Sequence, residues 1–346
     1  MRRLATFFSV LLIYPMQTVS AADVGPSAVT NAPKTLETIV VQGVMPGPGM
    51  WRVSKGDHVL WILGTLSPLP AGMKWQSKKV EATIAHSQEV LGEGRPSAKI
   101  GVGTMFKMAS LMPSALRTQH NPGGAPLKAV VDPALYARWV SARDQYAKSA
   151  KDLENLRPVY ASQQLYWSAV ETEGMTTANV VQHVIAESAK RSGVPITDTG
   201  FSYPLELDRK QLKERIAAVN QGSGTDIACF TATLDKLDAD LTAMKVRANA
   251  WAIGDVGALR GLVRADFQPP CKAVDEAAMA FLRADELKKK LRATWLAAAE
   301  RGLANNESTF AFLPIWDLLD QDGVLSDLRH KGFLIEAPDD EAVDAL

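Results

Sequence analysis

Histidine and cysteine are scarce in this chain, with five and two among 346 residues. The histidines (His58, His86, His120, His183 and His330) have no ligand-like spacing, and no H-E-x-x-H pair occurs. Cys229 and Cys271 stand without a local C-x-x-C or a neighbouring histidine, which excludes a convincing zinc site built on cysteine. A G-x-S-x-G nucleophile elbow is also missing, as are a phosphate-cradling P-loop and a G-x-G-x-x-G after a strand. Gly101-Val102-Gly103 stops short of the third glycine. Neither charge is in surplus: 38 basic side chains balance 38 acidic ones. The overall charge therefore makes no case for nucleic acid or for an anionic membrane surface as partner. Beyond the N-terminus no apolar run approaches the roughly 20 residues that span a bilayer.

What is present is ordinary for a soluble globular chain: 47% hydrophobic and 22% charged residues, and enough length for a sizeable core. The N-terminus is different. Arg2 and Arg3 precede an apolar stretch from Leu4 to Tyr14, then Pro15 and the small residues Val19-Ser20-Ala21-Ala22. That order is expected of a secretory signal peptide over residues 1–22, which places the protein in the periplasm or outside the cell; an uncleaved anchor is the alternative. Residues 23–48 read as a flexible leader ending in Met45-Pro46-Gly47-Pro48. In an oxidising compartment Cys229 and Cys271 are expected to form a disulfide across one helical stretch, two separate buried thiols being the alternative.

Periodicity organises the rest. Met50–Ser54 and His58–Gly64 are β-prone runs around Lys55-Gly56-Asp57 and predict a hairpin. Lys74–His86 has helical character, and Glu89–Glu93 reads as a short buried strand. Asp132-Pro133 is a helix start, Ser192-Gly193 a helix stop, and Val194-Pro195-Ile196 a short strand. His183 sits among Val180, Val181, Val184 and Ile185, the setting of a core or half-buried histidine. Leu234, Leu237, Leu241, Met244, Ala248 and Trp251 fall on one helical face, as do Leu287, Leu291, Trp295 and Ala298; both stripes predict core packing. Near the end, a strand at Phe310–Leu313, a helix around Gly323–Leu328 and a strand at Phe333–Glu336 suggest a parallel βαβ unit, followed by a frayed tail at 339–346. The predicted fold is α/β: one domain over 50–338, its central mixed sheet built from N- and C-terminal segments, with a long helical insertion between them.

Several segments resemble blocks of the TraB/GumN/TIKI family, in order and over about residues 50 to 336. Leu63-Gly64-Thr65-Leu66-Ser67-Pro68 is similar to a strand end reading G-T-x-H, and Ser87 to Glu93 to an S-D-x-L-V-x-E strand. Trp251-Ala252-Ile253-Gly254-Asp255 resembles W-x-x-G-D. Leu291 to Ala297 resembles L-x-x-R-N-x-x-W-A. Asp322-Gly323-Val324-Leu325, with Leu328 and Gly332, resembles the closing D-G-L element. The resemblance implies an α/β fold and a metal-dependent hydrolase chemistry resting on two G-x-x-H motifs and acidic partners.

That chemistry is where the chain departs. Ser67 stands for the first histidine and Asp317 for the second, Gly200 takes the place of a carboxylate, and Ala293 that of an asparagine. Glu93 and Arg292 remain. Serine keeps its proton at neutral pH and is a poor ligand, whereas imidazole suits mid-to-late transition metals. The candidate cleft is therefore Gly64, Ser67, Glu93, Arg292 and Asp317. No catalytic residue or cofactor is assigned, beyond a divalent cation that Glu93 and Asp317 would share. A buried Glu93–Arg292 ion pair closing the sheet is the plainer expectation. Trp51, Trp61, Trp75, Trp295 and Trp316 bring aromatic bulk to the same segments, more simply to fill a vacated pocket than to line one. Three functions follow as expectations: a non-catalytic, metal-site-degenerate family member, a hydrolase with an altered oxygen-ligand site, or an accessory protein of the cell envelope or exopolysaccharide system. The partner is an unknown peptide or envelope protein.

Overall fold

The β-prone runs on either side of Gly56 close into a hairpin, β1 (Met50–Lys55) and β2 (His58–Thr65), with Gly56 supplying the positive φ of the turn. The computed structural model describes residues 46–338 apart from 151, 206–207, 221–222, 267–270 and 272–283. The expected signal peptide, nearly all of the leader and the tail at 339–346 lie outside the described residues.

The other strands, in chain order, are β3 (Leu69–Pro70), β4 (Glu89–Leu91), β5 (Pro96–Ile100), β6 (Met175–Thr176), β7 (Ile196–Thr197), β8 (Phe201–Leu205), β9 (Ser308–Pro314) and β10 (Leu334–Glu336). Among the described residues, six of the ten strands make a mixed sheet in the order β10-β1-β2-β9-β4-β7. β2, β9, β4 and β7 run parallel, with Leu60 opposite Thr309 and Val90 opposite both Phe310 and Ile196. The fold is thus α/β, with N-terminal and C-terminal strands sharing one sheet. β9 enters between β2 and β4 and is covered on both sides by chain, which suits its apolar run: Phe310 and Ala311 are fully buried, as are Leu60, Ile62 and Leu63 on β2.

The expected βαβ pairing at the C-terminus needs correction. β9 and β10 run in the same direction but are separated in the sheet by β2 and β1, and β10 pairs antiparallel with β1 at the edge. Phe333 precedes that strand and packs on the core from partial burial. His183 is also not a core residue: it is exposed, while Val181 and Ile185 face inward.

A ribbon the pattern did not suggest continues β4 and β7 past the sheet. Gly92 N–H donates to Thr197 O at 2.9 Å, and the Thr199 hydroxyl donates back to Gly92 O at 2.8 Å. The two chains then pair again, parallel, as β5 and β8. At the crossing a Cβ on Gly94 would stand 2.5 Å from the Thr199 backbone, so only glycine allows this approach.

The segment between β4 and β9 is mainly helical. In the Ser223–Ile253 helix, Leu237, Leu241, Met244, Ala248 and Trp251 are buried and Leu234 half-buried, as the stripe predicts. In the Ala284–Asn305 helix, Trp295 and Ala298 are buried while Leu287 and Leu291 are half-buried. Asp132 caps the Pro133–Tyr146 helix, accepting from the N–H groups of Ala134 and Leu135. Two further ties hold this region. Cys229 and Cys271 form a disulfide with Cα atoms 4.8 Å apart. Arg157, at the start of the Pro158–Thr172 helix, meets Asp226 at 2.6 Å with both side chains buried.

Candidate functional site

Parallel strands end on the same side, and the crevice outside their carboxyl ends is where α/β sheets bind ligands. Here that edge is built by the ends of β2, β9, β4 and β7, and four of the candidate residues come from these ends. Gly64 is the penultimate residue of β2, Ser67 lies just beyond the strand, Glu93 follows β4, and Asp317 sits in the first turn of the Ile315–Leu319 helix that follows β9. Arg292 reaches the same edge from the Ala284–Asn305 helix.

Around Gly64 the edge is packed solid. A Cβ there would lie 2.6 Å from Ile315 Cδ1 and 3.2 Å from the Trp51 ring. Gly64 O accepts a 2.8 Å hydrogen bond from Trp251 Nε1, and the Trp75 ring meets Trp251 edge-on at 5.7 Å. Trp51, Trp251, Trp75, Trp295 and Trp316 are all buried. Trp51 and Trp251 reach Gly64 itself and Trp75 packs on Trp251, so these three rings fill this part of the strand end. Trp61 is different. It is half-buried and lines a recess of about 300 Å³ with Lys79, Ala82, Thr83, His86 and Ser308, near the start of β9. None of the five candidate residues lines that recess.

The expected Glu93–Arg292 ion pair is not what the structure builds. Glu93 pairs with Arg95, two residues along the chain, at 3.1 Å. Arg292 Nε donates to Asp327 at 2.5 Å and its terminal nitrogen donates to Gly323 O at 2.9 Å, in a half-exposed setting. Each charge takes a partner from a nearer or better-placed element, so neither is buried bare.

Glu93, Arg292 and Asp317 do converge electrostatically. Burial pushes the Asp317 carboxyl up to about 6; Lys288 and Arg292 act against that rise, while Glu93 and Asp320 add to it. Ser67 stays apart from this group in one respect: it is exposed, in the turn before a cis Pro68. Gly200 shows why no carboxylate stands there. A Cβ at that position would be 2.5 Å from Arg95 O, so this backbone leaves no room for a side chain.

The donor set does not fit a metal ion. Among the described residues no group of three or more His, Cys, Asp or Glu side chains is placed to hold one. Glu93 is engaged by Arg95, and Asp317, its pKa raised to about 6 by burial, has the cations Lys288 and Arg292 nearby. A catalytic or hard-cation site needs several ionised ligands around one point. The divalent cation considered for Glu93 and Asp317 therefore lacks the ligands to hold it.

Several of the recognised blocks instead hold one another. Trp251 ties the long helix to Gly64, Gly254 ends that helix with φ +77°, and the Asp255 carboxylate caps the next helix through Ala258 N–H at 2.8 Å. Arg292 clamps the turn at Gly323, where a Cβ would lie 2.6 Å from Asp317 O. Arg95, Lys288 and Asp327 were missed as neighbours of the site. Arg95 follows Glu93 closely, but no sequence spacing pairs Asp327 with Arg292.

Asp317 gives a pH prediction. A carboxyl whose pKa is raised on folding holds its proton in the native chain after the unfolded chain has lost its own. Its cost to stability is absent below about pH 4 and grows as pH rises from about 4 to about 6. Asp317→Asn is expected to flatten that decline and, above it, to raise stability by about 2 kcal/mol, allowing for partial exposure. Urea unfolding across this pH range checks it, and an unchanged slope contradicts the buried carboxyl.

Compared with known families, residues 49–337 match the model of the TraB/PrgY/gumN family. No curated protein and no solved structure matches the chain.

Proposed function

The chain belongs to the TraB/PrgY/gumN family, and on that premise we propose that it is an exported member that keeps the family's fold without metal-dependent hydrolysis. It acts by binding a peptide or envelope protein. The observation that carries this reading is the strand-end edge itself. Gly64 is sealed by Ile315 and the Trp51 ring, Glu93 at the same edge is committed to Arg95, and burial raises the Asp317 pKa to about 6. Export is supported by the order of residues in 1–22, and a paired Cys229 and Cys271 suits an oxidising compartment. Among the described residues no helix is long and apolar enough to cross a membrane. The test is hydrolysis of a peptide mixture by the purified protein with and without a chelator. No cleavage above a heat-inactivated control is expected, and cleavage abolished by the chelator would overturn the proposal.

One observation favours a second reading. A half-buried carboxyl with its pKa pushed up to about 6 is suited to act as a general acid or base. An altered hydrolase of this kind needs no metal, and its cleavage would survive a chelator and be lost in Asp317→Asn.

A further inference from the structure

The balanced total charge hides a local asymmetry. From Gly94 to Val131 there is no Asp or Glu, while Arg95, Lys99, Lys107, Arg117 and Lys128 are all exposed. The Val102–Arg117 helix lies in this stretch and packs against the Arg209–Asn220 helix, whose Arg209, Lys210 and Lys213 are exposed too. Among the described residues the acidic neighbours are Glu93, which pairs with Arg95, and Asp208 and Glu214 of the second helix and its start, Glu214 lying 3.9 Å from Lys210.

The same helix carries an unusual share of exposed apolar surface. Phe106 is 72% exposed, Val102 69%, Met105 58% and Leu116 49%. With exposed Ala109 they follow helical spacing and fall within an arc of about 100° at 3.6 residues per turn. Thr104 and Leu111 are buried on the opposite side, against the protein. Lys107, Ser110, Ser114 and Arg117 flank the apolar arc along one edge. The end of the helix is anchored: the buried Arg157 guanidinium donates to Thr118 O at 3.1 Å, and Arg157 N–H to Gln119 O at 2.8 Å.

We propose that this face docks on an anionic phospholipid bilayer, with Val102, Met105, Phe106 and Leu116 entering the headgroup boundary while Lys107 and Arg117 remain among the phosphates. An apolar arc edged by basic residues without acidic ones is the pattern of helices that lie in a membrane interface. Long basic side chains on its flank can keep their charge in water as the helix sinks. A second copy is a poorer occupant, because pairing this face with itself would bring Lys107 and Arg117 together with no carboxylate from the same stretch to compensate them. The proposal does not depend on whether the protein hydrolyses anything.

The test is sedimentation of the full chain with vesicles of phosphatidylcholine, alone or with about one-third phosphatidylglycerol. The apolar N-terminus with Arg2 and Arg3 contributes equally to wild type and variants, so the quantity read is the change that substitution of the face makes in the difference between the two vesicles. A larger bound fraction on the anionic vesicles is expected, falling steeply as salt rises from roughly 0.05 to 0.5 M. Met105→Ser with Phe106→Ser should weaken that binding about tenfold or more. Leu334→Ser, an exposed apolar residue on edge strand β10, should leave it unchanged. Because Met105 and Phe106 are exposed, the double variant is expected to fold, which its far-UV circular dichroism checks. Equal binding to both vesicles overturns the proposal, as does anionic-vesicle binding unaffected by the double change. A dimer in analytical ultracentrifugation that the double change dissociates also overturns it, and identifies the face as a self-contact.

Discussion

Replacing Arg157 by Met is expected to cost about 3–5 kcal/mol of folding stability, the largest effect of any single change considered. The Arg157 and Asp226 side chains are only 6% and 5% exposed, and they meet at 2.6 Å. Burial already raises the Asp226 pKa, and the guanidinium acts against that rise. Without Arg157 the carboxylate would be left in an apolar setting with its charge uncompensated. The carboxyl pKa would climb further, so the loss is greatest at neutral pH and shrinks in acid, where the group is protonated in both states. Converting both residues, Arg157→Met with Asp226→Leu, should recover most of the loss, since a buried pair adds little over apolar residues of similar volume. Urea unfolding of the single and double variants measures this. A double variant as unstable as the single one would mean that the guanidinium's bond to Thr118 O carries the effect instead.

Opening the disulfide is expected to cost about 3–4 kcal/mol. Cys229 and Cys271 are 42 residues apart, and closing a loop of that size restricts the unfolded chain by about this amount in the chain-entropy account. Both cysteines are buried beside Val159, so the bond also pins Cys271 to the long helix where Val159 of the Pro158–Thr172 helix packs on the pair. Cys229→Ser/Cys271→Ser should lower the urea midpoint, and reductant should do the same to the wild-type chain only. If reductant leaves the wild-type midpoint where it was, the thiols are not paired in solution.

The elements that local pattern encodes were legible in the sequence. The hairpin around Gly56, the cap at Asp132 and the apolar stripe ending at Trp251 all stand where spacing and capping put them. The mixed sheet drawing on both ends of the chain was also legible, because short apolar strands at each end need one another for burial. What failed was pairing across distance. β10 sits at the far edge beside β1, and the β5–β8 ribbon depends on a glycine contact between Gly94 and Thr199 that no periodicity reveals. At the strand-end edge, Glu93, Arg292 and Asp317 do come together, but their partners were not legible. Glu93 and Arg292 were expected to meet and instead bind Arg95 and Asp327, since ion pairs are decided by which charges the backbone brings within a few ångströms.

The resemblance and the geometry answer different questions. Family blocks such as the Trp251–Asp255 segment and Asp322-Gly323 keep structural duties: a tryptophan tied to Gly64, a helix stop and cap at Gly254 and Asp255, and a tight turn clamped by Arg292. The positions that would carry metal chemistry hold an exposed serine, a half-buried acid and a glycine with no room for a side chain. On the proposed function, fold and chemistry have separated in this chain, as they can whenever the scaffold residues are distinct from the ligands.

The most direct measurement is metal content and affinity. Purified protein equilibrated with Zn²⁺ or Mn²⁺ at neutral pH and then dialysed would be assayed for bound metal, beside Glu93→Gln and Asp317→Asn. The structure predicts far less than one equivalent per chain in all three. One equivalent retained by the wild type and lost in either variant would contradict it, and would return Glu93 and Asp317 to the role of ligands.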